Sequence, residues 1–410
     1  MPSMNILVLN SGSSSLKFKL FSGHQLKLVA KGVVEEIGSN KSAVRFAERN
    51  GSLSKQKPTK IKDHFEALKA MSSILSASGI LSDLSKLYGI GHRVVHGGEF
   101  FTGPIHLNTT VIKQIEKLIP LAPLHNPANL IGIQVALEHA PQVPQVAVFD
   151  TAFHQTIPER SYLYAIPKRL YEKYRIRRYG FHGTSYSYVV KQAASFLGKD
   201  QRELSCICLH LGNGASAAAI KNGKSIDTSM GLTPLEGLVM GTRCGDIDPA
   251  IIPFIARNLD MTIEEIDYLL NRQSGLLGLC GESDMRTIEQ KAKDGDRDAF
   301  LAIELFCQRA KKYVGAYMAL IGKPDCLIFT GGIGEHSSLV RRKICQGLEW
   351  LGIRLPKQQA RFDPKELDGP VVISSRQSKI KVLIIPTDEE LEIALQTLAV
   401  IDTIIPDNVS

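Results

Sequence analysis

The chain has 410 residues, of which 44% are hydrophobic and 22% charged, and its formal net charge is +8. At roughly 150 residues per domain, this length indicates two or three domains. The positive charge suits nucleic acid, an anionic membrane or small anionic ligands. The lysines and arginines are scattered, and no long basic block alternates with aromatic residues, so nucleic acid is the weakest of these partners. A mildly basic solvated surface accounts for most of the charge.

The seven cysteines show no disulfide-framework spacing. Cys206 and Cys208 alternate with Ile207 in an apolar stretch, which predicts buried thiols on a strand rather than metal ligands. No signal peptide is recognised, and the longest apolar runs are too short to span a membrane. We therefore expect a reducing, cytoplasmic setting without membrane association.

The first predicted element is a hairpin. Residues 5–10 form an apolar run, 11–15 a turn of small residues, and 16–21 an alternating strand. A similar design recurs about 200 residues later, where the strand at 205–211 runs into a glycine-containing turn at 212–216. This separation is roughly half the chain, as an internal duplication would place it.

The second hairpin continues into a further strand. Its return strand covers 217–220, and Asn222 with Gly223 then predicts a type I′ turn. Three more apolar runs are predicted as strands, at 145–149, 326–329 and 382–385. Amphipathic stretches such as 298–320 separate the strands, which is typical of α/β layers. Polar residues just past the strand ends of such sheets tend to line ligand crevices.

Three small-residue turns, at 11–15, 212–216 and 331–334, each follow an apolar strand. The Gly-x4-Gly-Lys-Ser/Thr pattern of a P-loop is absent. Small residues let backbone N–H groups and hydroxyls approach phosphate oxygens closely. One such turn alone would be interpreted as a simple hairpin, whereas three together favour phosphate binding.

Two arginines stand between glycines, Arg93 in the segment 91–98 and Arg243 in the segment 241–249. A guanidinium beside glycines lies where a ligand can approach, and its planar fork suits carboxylate and phosphate oxygens. The alternative is a structural ion pair, with Asp246 or Asp248 the obvious partner of Arg243. The residue types alone leave the two interpretations even.

The histidines His125, His154 and His182 lack zinc-type spacing. A lone histidine is more often a structural hydrogen-bonding group, but glycines flank the loop of His182, which suggests a ligand pressing on it. Asp150 ends a strand and Glu389 follows one. Mg²⁺ needs only one or two carboxylates when a nucleotide and water complete its shell. Glu389 equally suits the first turn of a helix.

These motifs resemble the acetate and propionate kinase family of the sugar kinase, Hsp70 and actin superfamily. The matching segments occur in family order and cover nearly the whole chain: 10–17, 91–98, 149–154, 179–185, 210–214, 231–237, 241–249 and 331–335. The resemblance implies an α/β fold of two duplicated actin-like ATPase (ribonuclease H-like) domains with a central cleft. The N-terminal domain would cover 1–150 and about 387–410, with the final helix returning to it, and the nucleotide-binding domain 151–386.

The resemblance also implies an activity. The protein would transfer the γ-phosphoryl group of ATP to acetate, reversibly, with Mg²⁺ as cofactor and Mn²⁺ able to replace it, and it would be a homodimer. Acetate is ionised and nucleophilic at neutral pH, so no strong base is needed. Positioned cations and donors must instead stabilise the transferring phosphoryl group. Propionate is the alternative substrate, and the branched Val95 leaves little space for its extra methylene.

The resemblance assigns roles residue by residue. Four residues would be catalytic: Arg93, Asp150, His182 and Arg243. Of these, His182 and Arg243 would stabilise the transition state. His125 supports them. Arg93 also holds the substrate carboxylate, and an apolar pocket for the methyl group has these members: Val95, Leu124, Phe181 and Pro234. Asn10 and Glu389 are the metal-linked residues.

A larger set would bind ATP through its phosphates and its adenosine: Ser13, Ser14, Ser15, Lys17, His210, Leu211, Gly212, Asn213, Gly214, Asp284, Met285, Arg286, Gly331, Gly332, Ile333 and Gly334. A non-catalytic ATP-binding protein of the same superfamily would need the hairpins but not Arg93, His182 and Arg243 together. Their joint presence argues against that alternative.

Several positions depart from the usual family pattern. Ser11 replaces Ala, Tyr186 replaces His, Cys244 replaces Ser, and both His336 and Asp388 replace Asn. The segment 278–286 is one residue short, which bears on nucleotide preference. Because the Cys244 thiol would stand beside the catalytic Arg243, we expect the activity to be sensitive to thiol reagents.

Overall fold

The structure is a computed structural model that describes residues 4–49, 51, 54–55, 60–357 and 369–404. The ends of the predicted N-terminal domain, 1–3 and 405–410, lie outside the described residues. The chain forms two compact units. The first unit comprises Met1–Ala152 with Asp388–Ser410, and the second unit comprises Phe153–Thr387.

The first unit is built on a mixed sheet of eight strands in the order β5-β4-β3-β2-β1-β6-β8-β7. Strands β1 and β2 form the predicted hairpin, with Ser11 opposite Leu16. Strand β1 pairs in parallel with β6, and β6 with β8. The strands are β1 (Asn5–Ser11), β2 (Leu16–Ser22), β3 (Lys27–Glu35), β4 (Ala43–Glu48), β5 (Ser54–Lys55), β6 (Gly89–Val94), β7 (Ile105–His106) and β8 (Gln145–Phe149).

Helices cover this sheet. They are α1 (His64–Ala77), α2 (Thr109–Lys117), α3 (Asn126–His139) and α14 (Glu389–Ile404). Helix α14 contacts β1, β6 and β8. Its buried Ile393 and Ile401 share one core with Val8 and Val148. The last helix of the described chain therefore completes the core of the first unit.

Two glycines of β6 let α14 approach the sheet. A Cβ on Gly89 would lie 2.0 Å from Cδ1 of Ile401, and one on Gly91 would lie 2.3 Å from Oγ1 of Thr397. Such distances exclude a side chain at either glycine. The interpretation that glycines near Arg93 leave space for a ligand is therefore wrong for Gly91, because a helix side chain fills that space.

The second unit is built on a six-stranded sheet in the order β11-β10-β9-β12-β14-β13. Strands β9, β10 and β11 are antiparallel, and positive φ angles at Asn222 (52°) and Gly223 (73°) make the predicted turn. Strand β12 pairs in parallel with β9 and β14. The strands are β9 (Cys206–Leu211), β10 (Ala215–Lys221), β11 (Lys224–Thr228), β12 (Cys326–Thr330), β13 (Val371–Val372) and β14 (Lys381–Ile384).

The two sheets share a strand order. In the first unit, β3-β2-β1 are antiparallel and β1-β6-β8 are parallel; in the second, β11-β10-β9 are antiparallel and β9-β12-β14 are parallel. The two hairpins predicted from the sequence thus occupy the same place in a five-strand arrangement that both units share. The predicted α/β class with a duplicated design is confirmed.

The helices of the second unit include one that the sequence did not predict. The predicted turn at 331–334 is wrong, because these residues begin a short helix in which the Glu335 carboxylate accepts a hydrogen bond from Gly331 N at 2.9 Å. The helices are α4 (Glu159–Tyr162), α5 (Lys168–Tyr174), α6 (Gly183–Leu197), α7 (Ile251–Asn258), α8 (Ile263–Arg272), α9 (Gly275–Cys280), α10 (Met285–Lys293), α11 (Arg297–Ile321), α12 (Gly331–His336) and α13 (Ser338–Cys345).

Helix α6 packs on the sheet of the second unit. Its Val189, Val190 and Ala193 share a core with Cys206 and Cys208. The two thiols are fully buried on β9, as predicted. Within the residues that the structure describes, none of the helices combines the length and the apolar character needed to cross a bilayer.

Ser11 provides a stability prediction. Its Oγ is buried without a hydrogen-bond partner in the described chain, and a Cβ on Gly132 would lie 2.0 Å from it. A buried unsatisfied hydroxyl costs about 1–3 kcal/mol. We expect Ser11→Ala to raise the free energy of unfolding by about 1 kcal/mol in urea denaturation.

The matched control is Ser42→Ala. Ser42 is equally buried, but its Oγ donates to the carbonyl of Glu36 at 2.8 Å. Its replacement should lower the free energy of unfolding by about 1 kcal/mol. A Ser11→Ala variant no more stable than the wild type would contradict the assignment of an unpaired hydroxyl.

Candidate active site

The turn between β1 and β2 exposes hydroxyl groups. Gly12 N donates to the carbonyl of Ser15 at 2.8 Å, which closes the turn. Ser13 and Ser14 are exposed at its tip, and Lys17 is exposed on β2. Backbone bonds therefore fix the turn while its side chains stay accessible to an anionic ligand.

Arg93 and Asp150 form an ion pair at the ends of adjacent parallel strands. Arg93 Nη2 lies 2.6 Å from Asp150 Oδ2, and Nε lies 3.1 Å from both carboxylate oxygens. Burial opposes the charge of Arg93, but the carboxylates of Asp150 and Glu389 hold its pKa above the ordinary value. The structural ion pair considered for the arginines therefore exists at Arg93, where it fixes the direction of the guanidinium.

The loop after β6 carries the first part of the predicted methyl pocket. Val95 is buried, and its N–H donates to Oδ1 of Asn129 at 3.0 Å. Asn129 Nδ2 donates in turn to the carbonyl of Ser11 at 2.7 Å. Leu124 is 59% exposed, and His125 immediately precedes α3. Val95 is thus held rigidly, while Leu124 presents an accessible apolar surface.

The predicted metal-linked residues stand on elements that pack together. Asn10 lies on β1 and Glu389 begins α14, which contacts β1. Amide and carboxylate oxygens are hard ligands of the kind that Mg²⁺ prefers, so the donor set fits. Lys19 Nζ lies 2.9 Å from carboxylate oxygens of both Asp388 and Glu390. The two acidic residues on either side of Glu389 are therefore both paired with the Lys19 ammonium group.

His182 is the central residue of the second unit's loop before α6. Its backbone is left-handed, with φ 59°. Its Nδ1 lies 2.9 Å from Ser216 Oγ, and its ring stacks on that of His210 with a centroid distance of 4.2 Å. Strand β10 and the end of β9 therefore fix the imidazole from two sides.

His154 holds the residue before His182. Its Nε2 donates to the carbonyl of Phe181 at 3.0 Å, and its Nδ1 accepts from Ser225 Oγ at 2.8 Å. Burial lowers the pKa of His154 from 6.5 to about 4, so the ring is neutral in the fold. His154 is therefore a structural residue, as a lone histidine most often is.

Arg243 has no carboxylate partner among the described residues, unlike Arg93. Its Nη1 donates to the carbonyl of Pro234 at 3.2 Å. Burial, reinforced by the charge of Arg272, lowers the pKa of Arg243. The guanidinium is therefore a half-buried cation that none of the described carboxylates compensates.

The alternative interpretation left open for Arg243, an ion pair with Asp246 or Asp248, does not hold in the described structure. Asp246 accepts hydrogen bonds from Tyr313 Oη at 2.9 Å and from Gly237 N at 2.8 Å. Asp248 accepts one from Ala250 N at 2.9 Å. Both carboxylates shape the loop around the arginine instead of neutralising it.

His182 and Arg243 face the same space. An ideal Cβ on Gly214 would lie 3.5 Å from His182 Nε2 and 3.6 Å from Arg243 Nη1. A Cβ on Gly241 would lie 1.8 Å from Oδ1 of Asn213, and Gly241 N donates to the Asn213 carbonyl at 2.9 Å. The turn after β9 is thus locked to the loop of Arg243, with Gly214 keeping the space open.

Beside this turn, the second unit contains a pocket of about 520 Å³. That volume suits a small-molecule ligand such as a nucleoside. Its walls come from the turn after β9, the start of α10 and the α12–α13 junction: Gly212, Asn213, Ser283, Asp284, Met285, Arg286, Glu289, Gly332, Ile333, His336 and Ser337. Of the predicted ATP-binding residues of this unit, five do not line the pocket: His210, Leu211, Gly214, Gly331 and Gly334.

Glu289 and Ser337 are among the lining residues that the sequence analysis did not predict. Ser337 Oγ donates to the carboxylate of Glu289, which joins α10 to α13. Asp284 caps α10 by accepting from Arg286 N at 2.9 Å, and it also pairs with the Arg286 guanidinium. Glu289 lies one helical turn beyond Arg286, a spacing that could have placed it on the same face.

Cys244 is half-buried next to Arg243. Burial raises the pKa of its thiol. Because the thiolate is the reactive form, this shift opposes the predicted sensitivity to thiol reagents.

A duplicated α/β fold, a nucleoside-sized pocket and an uncompensated arginine beside a histidine are typical of a nucleotide-dependent phosphotransferase. The chain matches the Acetokinase family over residues 5–395. It is 52% identical over 391 residues to a protein named acetate kinase from Campylobacter jejuni, covering 95% of this chain and 98% of that one. The chain belongs to the acetokinase family.

Solved structures agree. The acetate kinase of Porphyromonas gingivalis superposes with a TM-score of 0.90 at 42% identity, covering 97% of this chain and 99% of that one. A propionate kinase from Francisella tularensis gives 0.88 at 43% identity, covering 96% and 99%. The protein is therefore an enzyme of the kinase class, built on the fold of these relatives.

Gly214 provides a prediction for the site. A Cβ there would make ordinary van der Waals contacts, so Gly214→Ala should fold normally. The methyl group would lie between His182 and Arg243 and hinder a phosphoryl group, so we expect kcat to fall roughly tenfold or more. Steady-state kinetics and thermal denaturation measure both properties. Gly315→Ala is the control, since its Cβ meets nothing within 4 Å. Equal kcat values for the two variants would contradict the inference that His182 and Arg243 face one space beside Gly214.

His154 provides a pH prediction. The pKa of His154 falls from 6.5 in the unfolded chain to about 4 in the folded protein. The unfolded chain therefore binds more protons in this window, and stability falls as pH drops from about 6.5 towards about 4. Urea denaturation at about pH 7 and pH 5 should show a smaller loss in His154→Gln than in the wild type. The exposed His24, replaced by Gln, is the control. Identical losses in wild type and His154→Gln would contradict a neutral buried ring.

Proposed function

We propose that this protein transfers the γ-phosphoryl group of ATP to acetate, giving acetyl phosphate and ADP, and that it catalyses the reverse reaction. The observation that carries the proposal is the uncompensated guanidinium of Arg243, whose Nη1 faces the same space as His182 Nε2. A cation and a hydrogen-bond donor aimed at one point suit the charge that spreads over the oxygens of a transferring phosphoryl group.

Acetate would bind through Arg93. Its guanidinium is already oriented by Asp150, and its remaining donors suit a second carboxylate. The methyl group would contact Val95, Leu124, Phe181 and Pro234. Since acetate is ionised at neutral pH, Asp150 acts by orientation and not as a base.

Propionate is not favoured as the preferred substrate. The relative with 52% identity is named acetate kinase, whereas the propionate kinase structure is 43% identical. The buried, branched Val95 also limits the space for a longer chain. One methylene is worth only about 1–3 kcal/mol, so we expect propionate to be a poorer substrate and not an excluded one.

The nucleoside of ATP would occupy the pocket of the second unit, next to Asp284, Met285 and Ile333. The small-residue turns after β1 and β9 would contact its phosphates. Mg²⁺, with Mn²⁺ as a substitute, would be held by Asn10 and Glu389 together with the nucleotide. When bound, it neutralises phosphate charge.

We place the enzyme in the cytoplasm as a homodimer. The free cysteines, among them the buried Cys206, Cys208 and Cys326, support a reducing compartment. The dimer rests on the family resemblance. We further propose that the two compact units are the two domains expected at 1–150 with about 387–410 and at 151–386.

Trapping of acetyl phosphate with hydroxylamine tests the function. We expect Arg243→Ala to lower kcat roughly 10²-fold or more, because it removes a group acting on developing charge. Arg93→Ala should also raise the KM for acetate. The exposed Arg257, replaced by Ala, should retain full activity. Arg243→Ala with kcat within a factor of about three of the wild type would overturn the proposal.

A further inference from the structure

A chain of buried hydroxyl groups ends on His182. Tyr186 lies one turn into α6 and Ser216 lies on β10, and both are fully buried. Tyr186 Oη is 2.5 Å from Ser216 Oγ, and Ser216 Oγ is 2.9 Å from His182 Nδ1.

The direction of these hydrogen bonds follows from their chemistry. Burial raises the pKa of Tyr186 well above its ordinary value, so the phenol keeps its proton. The buried phenol proton needs an acceptor, and Ser216 Oγ is the hydrogen-bond partner that the described structure gives Tyr186 Oη, so the phenol donates to Ser216. Ser216 then accepts from Tyr186 and directs its own proton to Nδ1 of His182.

This direction decides whether the imidazole nitrogen on the open side of the ring carries a proton. A neutral imidazole whose Nδ1 accepts a hydrogen bond carries its proton on Nε2. His182 Nε2 is the atom that faces the space beside Gly214, close to Nη1 of Arg243. The other tautomer would present a lone pair to an anionic phosphoryl group there. The tautomer of His182 therefore determines whether it attracts or repels the transferring group.

We propose that Tyr186 and Ser216 are positioning residues that hold His182 in the tautomer with the proton on Nε2. They act through His182 and do not touch the substrate. The proposal rests on the proposed function for its effect on catalysis, because that function puts a phosphoryl group in the space that Nε2 faces. The tautomer itself is independent of catalysis and can be observed without turnover.

The first test is ¹⁵N NMR of the imidazole nitrogens in the full-length enzyme, with His182→Gln used to assign the signals. We expect wild-type His182 to be neutral with its proton on Nε2, and Tyr186→Phe to shift population to the Nδ1 form. Tyr317→Phe is the matched control, since Tyr317 is a buried tyrosine whose hydroxyl lacks a partner in the described chain. A doubly protonated His182 in the wild type, or a tautomer unchanged in Tyr186→Phe, would overturn the proposal.

The second test is kinetic. Tyr186→Phe and Ser216→Ala should each lower kcat about threefold or more with little change in the KM for ATP or acetate. The double variant should be no slower than the slower single variant, because both residues act along one chain. Tyr317→Phe should match the wild type. Smaller effects, or losses that multiply in the double variant, would overturn the proposal.

The two tests separate this proposal from the proposed function. If His182→Gln kept its kcat, the role of His182 in phosphoryl transfer would fail, while the NMR spectra would still report on the hydroxyl chain. If His182→Gln lost activity and Tyr186→Phe did not, the chain would fail and the function would stand.

Discussion

A half-buried arginine without a carboxylate partner among the described residues sets the electrostatics of the candidate site in the second unit. Removing a charge from water without a partner is unfavourable, and the lowered pKa of Arg243 reflects that cost. An anion that enters the space beside Arg243 restores the missing partner. Arg93 is different, because Asp150 compensates its charge before any ligand arrives. Two arginines in similar glycine-rich surroundings thus differ in their electrostatic environment, since Arg93 is paired with a carboxylate and Arg243 donates to a backbone carbonyl.

The fold creates this difference through strand order. Asp150 follows β8, the parallel neighbour of the strand that carries Arg93, so the two side chains meet at the same sheet edge. Arg243 stands on a loop whose acidic residues are engaged elsewhere, Asp246 by Tyr313 of the long helix α11. The backbone bond between Gly241 and Asn213 then sets that loop against the turn after β9. Whether each arginine is paired with a carboxylate is therefore a consequence of topology and not of its neighbours in sequence.

The sequence predicted the hairpins well, because alternation and turn chemistry are local signals. The type I′ turn at Asn222 and Gly223 is an example. That Arg243 lacks a carboxylate partner among the described residues was beyond such reasoning, since Asp246 accepts instead from Tyr313, far along the chain. The short helix Gly331–His336 was missed because its glycines disfavour helices; the Glu335 carboxylate supports it by accepting from Gly331 N and from Thr387 N. Glu289 and Ser337 escaped notice because only tertiary packing brings them to one pocket.

Helix α14 has a consequence for the order in which the chain acquires structure. It contacts β1, β6 and β8, and its Ile401 and Thr397 occupy the space beside the glycines at 89 and 91. The N-terminal half leaves the ribosome long before α14 is made. Domains generally fold as units during synthesis, so the second unit, which is continuous in sequence, can mature first. The apolar face that α14 covers on β1, β6 and β8 can be completed only after α14 has been synthesised.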